Sequence, residues 1–81
     1  MYEYEVGDLL ILKNEMSYLA RRYHYLQNND KLFLDFQNID NDDLFIVVKK
    51  INEFSPNSIT LFDAKKGFII EAYPHIFVKI S

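Results

Sequence analysis

Residues 17–29, SYLARRYHYLQNN, place two arginines, three tyrosines and a histidine within nine positions. Tyr18, Arg21, Arg22 and Tyr25 are spaced i, i+3, i+4, i+7, which puts them on one side of a helix. Guanidinium groups interleaved with phenol rings suit a protein–protein hot spot. The same types suit stacking on bases and contact with phosphates, and they also fit an exposed helix face whose rings lie flat on neighbouring strands. A second cluster, Asp40, Asp42 and Asp43, has a D-x-D-D spacing. An EF-hand loop starting at Asp40 needs Gly at its sixth position and Glu at its twelfth; the chain has Phe45 and Ile51 there. The trio therefore reads as a solvated loop, or as a secondary acidic patch for a basic partner.

Nothing else in the chain assembles into catalytic machinery. His24 and His75 are the only histidines and stand apart, so no metal site is expected. Lys49 and Lys50 would point to opposite faces of a strand, and Lys65 and Lys66 fall at an expected hairpin tip. Ser17, Ser55, Ser58 and Ser81 show no nucleophile motif. The two glycines, Gly7 and Gly67, are turn residues and form no phosphate-cradling loop. Without a positioned acid, base or nucleophile, the expectation is a protein that is not an enzyme and takes no cofactor.

The chain has 81 residues, the size of one domain. Six tyrosines and seven phenylalanines are more than so small a core can enclose, so some aromatic surface should be exposed. Cysteine is absent, which excludes disulfides and thiolate metal sites. The opening MYEYEVGDLL lacks the basic n-region of a signal peptide. The apolar runs LLIL and LFIVV are far below the ~20 residues that cross a bilayer. These features predict a soluble, cytoplasmic protein with no membrane partner. A net charge of −3 argues against tight, non-specific binding to duplex DNA, which draws on phosphate neutralisation.

The elements that must position these residues follow from periodicity. VGDLLILK (6–13) opens with a turn signal and continues as a strand. Met16, Leu19, Ala20, Tyr23 and Leu26 then repeat at helical spacing, with Asn14 as N-cap, Glu15 in the first turn and Asn28-Asn29 as the stop. This predicts a helix over about 15–28, with Leu19 and Tyr23 buried and Arg21 exposed. Strands are predicted at 31–36, 44–51, 58–63, 68–72 and 75–80, with 44–48 apolar on both faces and so central. An acidic loop fills 37–43, and DAKKG (63–67) forms a tight hairpin with Gly67 at positive φ. The expected fold class is α+β: a small, mostly antiparallel sheet or barrel of five to six strands, with one helix after the first strand.

The opening VGDLLIL, the long first excursion, the run of hairpins and the proline turn in YPHIFVKI together resemble an SH3-like small β-barrel. The chain has no tryptophan and lacks the aromatic pattern of proline-peptide-binding SH3 domains, so this resemblance implies a fold and no function. Ile, Asn, Lys, Tyr and Phe supply 36 of the 81 residues, types with AT-rich codons. In general character the compact acidic chain is similar to accessory and anti-defence proteins of phages and mobile elements. That similarity implies a host enzyme or regulator as target, inhibited by steric occlusion. The leading expectation is a non-enzymatic binding protein acting through Tyr18, Arg21, Arg22 and Tyr25 on a protein partner. A nucleic-acid-binding small barrel using the same residues with a lysine-bearing strand, and a homo-oligomer whose exposed aromatics meet across a twofold axis, are the alternatives.

Overall fold

The structure is a computed structural model and describes residues 4–14, 17–28, 30–49 and 57–80. The chain runs through β1 (Leu9–Leu12), β2 (Ser17–Tyr25), β3 (Lys31–Asp40), β4 (Phe45–Lys49), β5 (Ile59–Asp63), β6 (Phe68–Ala72) and β7 (Phe77–Lys79). A single 3-10 turn, Pro74–Ile76, precedes β7. Every ladder is antiparallel, and the lateral order is β3-β2-β6-β5-β4-β1-β7. Among the described residues no ladder joins β7 back to β3. The sheet is therefore open, and it is neither the expected α+β arrangement nor a closed SH3-like barrel.

The segment expected to be helical is a strand. β2 pairs with β3 through nine residue pairs, from Ser17 opposite Asp40 to Tyr25 opposite Lys31. Three tyrosines in nine residues favour a pleated surface, and a short isolated helix could not match the pairing offered by the neighbouring run. Asn28, read as part of a helix stop, instead lies in the turn between β2 and β3. The Leu26 amide donates to the Asp30 carbonyl at 2.8 Å, and the Asp30 amide donates to Asn28 Oδ1 at 3.2 Å. Asn14 caps no helix; it turns the chain between β1 and β2 with φ of 54°, a value Asn tolerates better than most residues. Glu15, Met16 and Asn29, also assigned to that helix, lie outside the described residues.

The core follows strand periodicity. Leu10 and Leu12 of β1, and Phe45 and Val47 of β4, alternate inward and are fully buried. The Phe45 and Phe77 rings meet edge to face with centroids 5.2 Å apart. Both faces are covered at β5, the middle strand of the order, rather than at the expected 44–48, where Val48 is exposed. The hairpin after β5 has the expected form: Gly67 takes φ of 77° and its amide donates to the Asp63 carbonyl at 2.7 Å. β1 also pairs with β7, Leu12 lying opposite Phe77, and the Tyr4 hydroxyl donates to the Phe77 carbonyl at 2.9 Å.

Leu19, expected in the core, is 63% exposed, while its neighbour Ala20 is buried. Arg21 is exposed as expected and Tyr23 is half-buried. Leu19→Ala should therefore change stability by less than about 0.5 kcal/mol, whereas Leu61→Ala in the core should cost about 2–5 kcal/mol. Urea unfolding of the two variants checks this; a large loss for Leu19→Ala would contradict the strand.

Candidate functional site

β6 ends because of two adjacent residues. Pro74 has no amide hydrogen for a ladder, and the residue before a proline is held extended; Tyr73 sits at φ −75° and ψ 137°. The chain then turns through Pro74–Ile76 and leaves β2 behind. β2 and β6 pair only through residues 21–23. Below Arg21 they splay apart, and a groove of about 690 Å³ lies between residues 18–21 and 72–76.

Ala20 and Ile76, both buried core residues, reach the groove's lining. Leu19 and Tyr73 stand exposed on opposite walls. The Tyr73 ring stacks on His75 with centroids 5.9 Å apart. On the β3 side Tyr23, Phe33 and Phe36 form a chain of edge-to-face rings, at 5.8 Å and 5.3 Å. Lys31 and Glu71 pair within the lining, and the Lys31 ammonium lies 4.7 Å from the Tyr23 ring centre. The Arg21 guanidinium lies 6.0 Å above Phe36. Among the described residues it has no carboxylate within ion-pair distance, so an exposed cation stands at the rim of an aromatic cleft.

Strand alternation divides the four residues that helical spacing grouped. Arg21 and Tyr25 share a face with Leu19 and Tyr23, whereas Tyr18 and Arg22 lie on the Ala20 side. Tyr18 packs against the core and lines the groove together with Arg21. Tyr25 sits at the far end of the hairpin, opposite Lys31. Arg22 is engaged in a two-point contact with Asp35, Nε to Oδ1 at 2.8 Å and Nη2 to Oδ2 at 2.6 Å, and lies 5.7 Å above the Phe68 ring. The Arg22 hydrogen bond holds the Asp35 carboxyl below the usual carboxylate range, and Asp35 in turn raises the guanidinium.

The acidic trio is not a single patch either. Asp42 is exposed, Asp40 half-buried and Asp43 buried. Asp40 Oδ1 accepts from the Asp42 amide at 3.0 Å, and Asp43 Oδ2 accepts from the Asp40 amide at 2.9 Å and from Lys66 Nζ at 2.8 Å. These bonds shape the turn into β4. Lys66, expected simply to solvate a hairpin tip, thus anchors that turn. His75 lines the groove and His24 is exposed on β2. Lys49 is exposed at the end of β4; Lys50, Ser55 and Ser81 lie outside the described residues. Among the described residues no group of three or more His, Cys, Asp or Glu could hold a metal ion, and no helix is long and apolar enough to cross a membrane.

Phe33, Phe36, Glu71, Tyr73 and His75 belong to the site but carried no sequence signal of binding. One clue was available. KLFLDF has apolar residues on both parities, more than a strand with one buried face can cover. β3 is an edge, and Leu32, Phe33, Leu34 and Phe36 are all exposed. The chain matches no known family model, no curated protein and no solved structure.

Proposed function

We propose that this chain is a non-enzymatic binding protein that seats a segment of a partner protein in the groove between β2 and residues 72–76. One apolar or aromatic side chain of the partner enters the cleft, and a neighbouring carboxylate meets Arg21. The observation that carries this reading is the pairing of an aromatic-walled cleft with a single uncommitted cation at its rim. Interface anchors are typically rings and arginines in such desolvated pockets. Phe33 and Phe36 extend the apolar surface onto the β3 edge, where natural sheets usually place lysine or proline to discourage contact. In line with the chain's general similarity to phage accessory proteins, the partner would be a host enzyme or regulator whose surface is occluded.

Nucleic acid is the weaker reading. Lys31 is committed to Glu71 and Arg22 to Asp35, and the net charge is −3. One free arginine suits a carboxylate better than a polyanion that demands many cations.

A photo-crosslinking amino acid placed at Leu19 or Tyr73, with Val78 on the opposite edge as control, tests the site in host cells. The expected result is a protein adduct from positions 19 and 73 and none from 78. Once the partner is purified, Phe36→Glu should weaken binding by about tenfold to a hundredfold, roughly 1.4–2.8 kcal/mol, with its melting curve unchanged. Adducts formed only from 78, or with RNA, would overturn the proposal; adducts with a second copy of the chain would establish the homo-oligomer instead.

A further inference from the structure

The turn at residues 40–43 meets the hairpin at residues 64–67 through two carboxylates, Asp43 and Asp63, which are 1% and 0% exposed. Each has one satisfied oxygen. Asp43 Oδ2 accepts from Lys66 Nζ and the Asp40 amide, and Asp63 Oδ1 accepts from the amides of Lys65 at 3.0 Å and Lys66 at 2.9 Å. The other two oxygens, Asp43 Oδ1 and Asp63 Oδ2, are buried with no hydrogen-bond donor. Lys66 bridges the two side chains, its ammonium on Asp43 and its amide on Asp63, and Asp63 lies opposite Phe45, two residues from Asp43. Two ionised carboxylates cannot satisfy one another, and an unpaired buried oxygen costs free energy.

We propose that Asp43 and Asp63 form a proton-binding site: a single proton, carried on Asp63 Oδ2, bridges to Asp43 Oδ1 and latches the β3 to β4 corner onto the 64–67 hairpin. The proton resides on Asp63 because the Lys66 ammonium stabilises charge on Asp43, while Asp63 is offered only two backbone amides. Burial pushes the Asp63 carboxyl up despite the Lys66 and Lys65 amides, and the Asp43 charge adds to the rise. Burial would raise Asp43 too, but the Lys66 ammonium and the Asp40 amide hold it below the usual range. Burial works against the Lys66 ammonium, yet Asp43, Asp40 and Asp63 together raise it. These are the charged groups that face the pair. Lys66 Nζ also donates to the Asn38 carbonyl at 2.7 Å, so the latch fastens the end of β3, the strand that carries Phe33 and Phe36.

The pH dependence has two limbs. Asp63 keeps its proton in the folded chain above the pH at which the unfolded chain releases it. Its contribution is complete below about pH 4, the unfolded aspartate value, and is lost as pH rises through the raised folded value. Asp43 acts in the opposite sense: its contribution is present above that unfolded value and is lost as pH falls through the lowered folded one. On losing the shared proton to solvent, the pair becomes two like charges in contact, and the corner loosens.

Carboxyl carbon NMR of the native chain tests this directly. The Asp63 resonance should titrate above the same carboxyl's midpoint in urea-unfolded chain, and Asp43 below it; an Asp63 midpoint at or under the unfolded value would overturn the proposal. Asp63→Asn supplies the second test, since its amide group can donate permanently to Asp43 while its oxygen still accepts from Lys65 and Lys66. As pH rises above the unfolded aspartate value of about 4 and through the raised folded one, the native melting temperature should fall, and this fall should vanish in Asp63→Asn. An equal fall in both proteins would refute the shared proton, and the NMR titration decides if the variant does not fold.

Discussion

Phe45→Ala is expected to remove most of the protein's stability. Phe45 is fully buried on β4, which is bonded to β1 on one side and β5 on the other, and its ring meets Phe77 edge to face. The pair clamps three strands from distant parts of the chain onto one another. Truncating a buried phenylalanine costs about 3–5 kcal/mol. A small domain lies at the lower end of the usual range of roughly 5–15 kcal/mol, so the variant should be partly unfolded at room temperature. Urea unfolding followed by near-ultraviolet circular dichroism should show the midpoint falling by more than half. A loss under about 1 kcal/mol would mean that the two rings do not pack as described.

Lys31→Met should be nearly as damaging, and more so than Glu71→Gln. Glu71 sits on β6, inside the sheet, with its side chain only 6% exposed, and Lys31 reaches across Tyr23 to pair with it. Removing the ammonium leaves a largely buried carboxylate on the groove lining without its counter-ion. Breaking a buried pair in this way costs about 3–5 kcal/mol. Removing the carboxylate instead leaves a long, flexible lysine at the strand's start, free to swing its charge into solvent. The double variant Lys31→Met with Glu71→Met should recover most of the loss, because the apolar pair leaves no uncompensated charge. Thermal melts of the single and double variants give the answer; strictly additive losses would show that the two groups are not coupled.

The strands of the second half of the chain were legible because their signals are local. Residues 68–72 form β6 as expected, and DAKKG turns where Gly67 permits it. β2 was misread because two periods compete in SYLARRYHY. Its apolar residues fall at helical spacing, and it contains no Val, Ile or Thr to mark a strand. They fall so because β2 has an apolar residue on each face: Ala20 goes to the core and Leu19 to the exposed groove. A sequence has one apolar pattern, whether it serves folding or binding. The misassigned element is thus the one that lines the candidate site, and the helical reading joined Tyr18, Arg21, Arg22 and Tyr25 into a face that a strand divides. The polar run QNND (27–30), between two aromatic-rich runs, was the signal for a hairpin. The groove was legible only in part: YP marked the end of β6, but the splaying of β2 from residues 72–76 depends on the lateral order of the strands, which no local pattern encodes.

The place of β1 between β4 and β7 also sets a timetable for synthesis. LLIL leaves the ribosome well before the strand that covers its far edge, which begins 65 residues later, Phe77 against Leu12. At about 5–20 residues per second, that wait lasts about 3–13 s. During it the nascent chain presents an apolar strand with an open edge, and β4 can cover only one side of it. Because long-range pairing of this kind also folds slowly, growth temperature and translation rate should govern how much soluble protein a cell recovers, even where the finished fold is stable.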